Sequence, residues 1–166
     1  TSWLEGYDLS QGMLAKASDK GVYDHLGQAD ILHGIPAARL QDAKPADLVA
    51  AADVFAYFGD LSGVMAVASS LTADGGLLAL SLEAGPDGCE WMLQSSLRYC
   101  HGEAYLRREL EDNGLDLLTL SREPIRRDGP DTISGLLAVA RKRPGAGVSE
   151  QPAEVVTAPA LTVALN

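Results

Sequence analysis

Cysteine is almost absent: the 166 residues hold two, Cys89 and Cys100. They form neither a C-x-x-C pair nor a disulfide framework, so both read as reduced thiols without assigned chemistry. Histidine is as scarce, with three residues, and no His/Cys/Asp spacing suits a metal, so none is expected. No apolar run approaches the roughly 20 residues of a membrane span. The chain opens Thr1-Ser2-Trp3 with no basic-then-apolar leader, so no membrane partner and a cytoplasmic location are expected. Basic charge is short as well: 13 Lys and Arg against 23 Asp and Glu leave a net charge of −10. Such a field repels a nucleic-acid backbone. The basic residues that do cluster, Arg122, Arg126 and Arg127, then Arg141, Lys142 and Arg143, read as solvated strand ends rather than a phosphate patch. Nucleic acid is thus not an expected partner, and a small or neutral ligand is.

Hydrophobic residues make up 46% of the chain, enough for one domain with a sizeable core but not for two ordinary ones. Residues 3–8 read as a short strand, followed by a turn and a helix carrying Met13, Leu14 and Ala17 at helical spacing and stopped by Gly21. Residues 25–30 suggest another short strand, and a loop surrounds Pro36 and residues 41–45. Residues 47–52 are almost wholly apolar, the pattern of a strand covered on both faces. Leu61, Val64, Met65, Val67, Ala68 and Leu71 form a helical stripe, ended by Ala73-Asp74-Gly75-Gly76, and residues 77–82 supply the next buried strand. A helix over residues 103–113 stops at Gly114, and strands over 115–120 and 132–140 follow. Beyond Arg143 the composition turns to Pro, Ala, Val, Thr and Glu without a period, so residues 144–166 are expected to be a disordered tail on a domain of 1–143.

Strands alternating with helices, then an antiparallel pair, predict a doubly wound α/β sheet with helices on both faces. The strands of residues 47–52 and 77–82 should be adjacent and parallel, with 132–140 antiparallel in the same sheet. Such sheets bind ligands beyond the carboxyl ends of their strands, which directs attention to residues 8–10, 29–31, 52–55 and 82–83. An acid closing the second strand of a nucleotide-binding unit can accept both ribose hydroxyls, and Asp8 either does this or caps the next helix. Asp30 is either a loop acid or an acceptor for an exocyclic amine.

Tyr7-Asp8-Leu9-Ser10-Gln11-Gly12-Met13-Leu14-Ala15-Lys16-Ala17 resembles the G-x-D-L-S-x-x-M-L-x-x-A segment of class I S-adenosylmethionine (SAM) methyltransferases of the ubiquinone-biosynthesis type. In order, Gln28-Ala29-Asp30 resembles the acidic motif after that family's third strand, Ala46-Asp47-Leu48-Val49 its fourth strand, and Leu71-Thr72-Ala73-Asp74-Gly75-Gly76-Leu77 the L-x-P-G-G entry to its fifth. The resemblance spans residues 3–141 and extends to bacterial methyltransferases with tetratricopeptide repeats. It implies a Rossmann-like sheet, SAM as cofactor, and methyl transfer to a small molecule. It also implies roles: Asp8 on the ribose, Leu9 and Met13 on the adenine with Ser10 beside them, Asp30 and Ile31 at the adenine amine, and Ala52 and Asp53 where the methionine end meets the acceptor. Methyl transfer chiefly demands positioning, with a base for acceptors that hold their proton. His101 and Tyr57 are the candidate catalytic residues, with Tyr99 and Asp53 also in reach of that role.

The segment departs from the pattern in two places. Ala73-Asp74 replaces the usual residues before the glycines, and no G-x-G-x-G precedes Asp8. Gly145-Ala146-Gly147 leads into the Pro/Ala stretch and cannot stand in for it. A sheet without its first strand and glycine loop is therefore expected, with loosening, direct closure or a homodimer as ways to fill the gap. Ala51-Ala52-Asp53-Val54-Phe55 lacks the Pro-Pro box of base- and glutamine-amino methyltransferases, and neither cysteine follows a proline, which leaves a small-molecule oxygen, nitrogen or carbon acceptor. The competing readings are a catalytically inactive remnant that binds without turnover and, with no Tyr-x-x-x-Lys pair to support it, a nicotinamide-dependent oxidoreductase.

Overall fold

In the computed structural model, residues 3–33 and 44–145 are described. They divide into two compact units that meet in sequence at Lys44 and Pro45, where one domain was expected. The Pro36 loop and nearly all of the Pro/Ala tail lie outside the described residues.

The first unit is a strand, a helix and a strand: β1 (Glu5–Asp8), α1 (Gln11–Asp19) and β2 (His25–Gln28). Ser10 caps α1, its hydroxyl accepting from the Met13 amide at 3.4 Å, which satisfies one of the orphan donors of the first turn. At the other end Gly21 takes φ 62°, a left-handed conformation that lets the chain turn back without a Cβ penalty. The strands run parallel, with Glu5 opposite His25 and Asp8 opposite Gln28, so both deliver their carboxyl ends to one edge.

The second unit comprises β3 (Ala46–Ala51), α2 (Ser62–Leu71), β4 (Thr72–Ala84), β5 (Trp91–Leu93), β6 (Tyr99–His101), α3 (Glu103–Asp112), β7 (Leu115–Asp128) and β8 (Asp131–Lys142). Its described strands form one sheet in the order β5, β6, β4, β8, β7, with β3 also on β4. The expected pairing is borne out: β3 lies parallel to β4, from Leu48 opposite Leu77 to Ala51 opposite Leu80, and β8 lies antiparallel to β4.

Strand alternation divides the sheet's faces. Leu78, Leu80 and Leu82 of β4 and Leu136, Ala138 and Ala140 of β8 are buried. So are Val64, Met65 and Ala68 of α2 and Leu106 and Leu110 of α3. Lys142, on the same face of β8, donates to the Ser69 and Thr72 carbonyls at 2.8 and 2.9 Å, closing the last turn of α2 with a cation where the helix dipole favours one. The opposite face is different. Leu48 is 55% and Leu137 38% exposed, and Ala50 is exposed. The strand over 47–52 is therefore not covered on both faces. Among the described residues β3 pairs with β4 alone.

Three further elements differ from expectation. Ala73-Asp74-Gly75-Gly76 belongs to the start of β4, where the register against β3 shifts and Gly75 takes φ 78°. β7 and β8 extend past their buried portions into a long hairpin. The short hairpin of β5 and β6 adds two strands between β4 and α3. Gly102 joins that hairpin to α3, and only glycine fits, because a Cβ there would collide with the Cys89 carbonyl oxygen. α3 then runs to Asp112, with Asn113 as its C-cap, and Gly114 at φ 71° turns the chain away.

Candidate active site

In the first unit, Asp8 ends β1 and is buried, and its Oδ1 accepts the Ser10 amide at 2.7 Å. That bond shapes the turn into α1, while the capping itself falls to Ser10. Leu9, Ser10 and Met13 follow on the same turn, half-buried. Asp30 stands two residues beyond β2, where its carboxylate accepts from the Leu32 amide at 3.0 Å and meets His33 Nδ1 at 2.9 Å. Ile31 opens a 3-10 turn over Ile31–His33. Asp8 and Asp30 thus lie at the carboxyl ends of neighbouring parallel strands. Two carboxylates at adjoining strand ends are the acceptor chemistry that a ribose diol and an exocyclic amine call for.

In the second unit, the carboxyl ends of β3 and β4 carry a polar cluster around Arg98. Its Nε donates to Glu83 Oε1 at 2.6 Å, its Nη1 to the Tyr57 hydroxyl at 2.9 Å, and its Nη2 to Asp53 Oδ1. Gln94 Nε2 donates to Glu83 Oε2 at 2.6 Å, and Arg126 Nε to Glu83 Oε1 at 2.9 Å. The guanidinium also lies 4.8 Å over the Tyr57 ring, a cation–π geometry. Burial alone would ease the Arg98 proton off, but the Glu83 hydrogen bond and the Asp53 charge outweigh it and raise the pKa. Asp53 has φ 60°, a left-handed backbone that a non-glycine residue keeps where its surroundings impose it. Its amide donates to Ser81 Oγ at 2.8 Å. Ala52, just before it, is exposed.

The sequence reading named Asp53, Ala52 and Tyr57 here and missed Arg98, Arg126 and Gln94. Arg126, read as a solvated strand end, points instead onto Glu83. The available signal was Glu83 itself, an acid closing an apolar run where a parallel strand ends.

His101 needs correcting. It is the last residue of β6, two residues before the start of α3, and its exposure is 0%. Its Nε2 lies 3.0 Å from the Gly59 carbonyl, and its ring stacks on Tyr105 at 6.1 Å. Nδ1 is buried without a hydrogen-bond partner. A ring enclosed in this way packs the hairpin against the 59–60 turn and does not meet an acceptor. Tyr99, of the same strand, packs edge-on against Trp91 at 5.7 Å.

Burial lowers the His101 pKa from its ordinary 6.5, against the raising effect of the Gly59 and Phe58 backbone. In the unfolded chain the ring takes a proton as pH falls through about 6.5, whereas the folded ring resists. The stability it contributes is therefore complete above pH 6.5 and is lost as pH falls toward the folded pKa. Urea midpoints from pH 7.5 to 5 should decline in the parent and decline less in His101→Phe, which keeps the stack on Tyr105. Equal slopes would show that other groups carry the acid sensitivity.

No protein-family model matches the sequence, and no curated protein is significantly similar to it. Solved structures do match. A SAM-dependent methyltransferase from Mesorhizobium loti superposes with a TM-score of 0.62 at 18% identity, covering 86% of this chain and 81% of that one. The N-methyltransferase NodS from Bradyrhizobium japonicum, solved with S-adenosylhomocysteine, gives 0.59 at 18% identity, over 85% of this chain and 67% of that one. The [4+2]-cyclase SpnF gives 0.65 at 16% identity, over 86% and 68%. At such identities the likeness is one of fold: this chain has the Rossmann-like α/β fold of the class I SAM-dependent methyltransferases.

Proposed function

We propose that this chain binds SAM at the carboxyl ends of β1 and β2 and serves methyl transfer to a small-molecule acceptor. The observation that carries the reading is Asp8: a buried carboxylate closing a parallel strand, within a fold shared with SAM-dependent methyltransferases. Asp8 would hold the ribose diol, Leu9, Ser10 and Met13 the adenosine's face, and Asp30 with Ile31 the adenine amine. Ala52 and Asp53 would line the acceptor side, and Tyr57 would be the proton-handling group. Bound SAM supplies an electrophilic methyl on a sulfonium. What the protein adds is alignment of the acceptor and exclusion of water, the main demands of an in-line displacement. We further propose a cytoplasmic protein, with homodimer formation open to test. No helix among the described residues is long and apolar enough to cross a membrane.

A second reading, a protein that binds without methylating, is favoured by one observation: one structure sharing the fold is named as a cyclase, and fold and function separate readily. The two readings part in a titration of S-adenosylhomocysteine followed by amide chemical shifts. Shifts at Leu9, Met13 and Ile31 are expected. Asp8→Ala should weaken the interaction by about 1–3 kcal/mol. No shift at millimolar ligand would sink the adenosine site. Label transfer from methyl-labelled SAM to candidate acceptors then separates an enzyme from a binder.

A further inference from the structure

We propose that Arg98 anchors a carboxylate-binding site at the carboxyl ends of β3 and β4, with Asp53 as a resident anion that an incoming carboxylate displaces. The proposal rests on the reading above and names the acceptor's class: a small organic acid with an apolar body.

The partners of Arg98 are unequal. Glu83 is 1% exposed and binds Arg98, Arg126 and Gln94 at once, so it cannot leave without breaking three hydrogen bonds made at a buried position. Asp53 holds only the outer Nη2, and its side chain is 29% exposed. Its backbone is fixed by the Ser81 hydrogen bond, but its carboxylate sits at the boundary with water and can turn outward without unpairing Glu83. That frees Nη2 of the guanidinium, a charged donor for an incoming carboxylate, while Nε stays on Glu83 and Nη1 on Tyr57.

Charge decides which ligand follows. Arg98 and Arg126 against Glu83 leave one positive charge, which Asp53 now neutralises. A monoanion in its place restores balance, whereas an ammonium ligand would add to the excess. The neighbouring surface suits an apolar body. The Tyr57 ring lies flat beneath the guanidinium. A groove of about 280 Å³ along β3, β4 and β8, lined by Ala50, Ala52, Ala79, Leu137 and Val139, shares Ser81 with the cluster.

The test uses benzoate as probe, with benzamide and benzylamine as neutral and cationic counterparts, titrated by nuclear magnetic resonance after circular dichroism has checked each variant's fold. Benzoate is expected to shift the Asp53, Tyr57 and Arg98 signals and to bind at least about tenfold more tightly than either counterpart. Arg98→Lys keeps the charge beside Glu83 but loses the fork, and should weaken benzoate by about tenfold. Asp53→Asn removes the competing anion and should tighten benzoate several-fold; if Arg98→Lys fails to fold, this variant decides alone. Equal binding of benzamide, a preference for benzylamine, or an unchanged benzoate affinity in Asp53→Asn would each overturn the proposal. S-adenosylhomocysteine titrated in parallel separates the two ideas. Nucleoside binding without benzoate binding sinks this site alone, and benzoate binding without nucleoside binding supports it while sinking the methyl-transfer reading.

Discussion

Glu83→Ala is expected to lower the unfolding free energy by about 3–5 kcal/mol, the usual loss when one partner of a buried ion pair is removed and the other is left uncompensated. The carboxylate is 1% exposed and ties β4 to Arg98, in front of β6, and to Arg126 on β7. Its loss takes the shared anion from two guanidinium groups and frees the ends of three strands together. Urea unfolding followed by circular dichroism should show a lower midpoint at unchanged slope, which marks a change in stability rather than in compactness. Glu83→Gln, which retains an acceptor oxygen, should lose less. A drop below about 1 kcal/mol in Glu83→Ala would place the cluster with solvated surface pairs, and the argument for a permanent Glu83 and an exchangeable Asp53 would fall with it.

Phe55→Ala should cost about 3–5 kcal/mol as well, by a different route. Phe55 is fully buried at the start of the 3-10 turn Phe55–Tyr57, closed by the Phe58 amide on the Phe55 carbonyl at 3.1 Å. Truncating the ring leaves a cavity under the segment that presents Tyr57 to Arg98. Phe55→Leu, close in volume, should cost less than about 1.5 kcal/mol. The informative comparison is between stability and the benzoate titration. Phe55→Ala should lose affinity as the Tyr57 platform loosens, whereas Phe55→Leu should keep both. Unchanged affinity in Phe55→Ala would show that Tyr57 is held from the Arg98 side alone.

The parts of the fold that could be read in the sequence are those whose burial repeats with a local period. Residues 77–82 are a strand whose apolar run packs under α2, and Gly21 and Gly114 announce helix ends through the backbone angles they alone adopt without strain. What stayed hidden depends on long-range placement. β5 and β6 are three residues each, and Trp91, Met92 and Leu93 are all largely exposed, so no alternation betrays them. Arg98 meets Glu83 across 15 residues only because that hairpin turns at Leu97, with φ 61°. Asp8 and Asp53 were legible because a parallel strand must end somewhere, and acids at such ends stand out against an apolar background.

The open flank of β3 has a consequence for handling the protein in solution. Ala46–Ala51 contains neither lysine nor proline, and a single acid, Asp47, interrupts it. It therefore lacks the usual devices that keep one sheet edge from templating another. A net charge of −10 makes copies of the chain repel one another collectively. That protection acts over a Debye length, about 30 Å at 10 mM salt but about 8 Å at physiological strength. Self-association should therefore grow as salt is added, opposite to the behaviour of an interface held by ion pairs, and dilute low-salt buffer is where this chain stays monomeric longest.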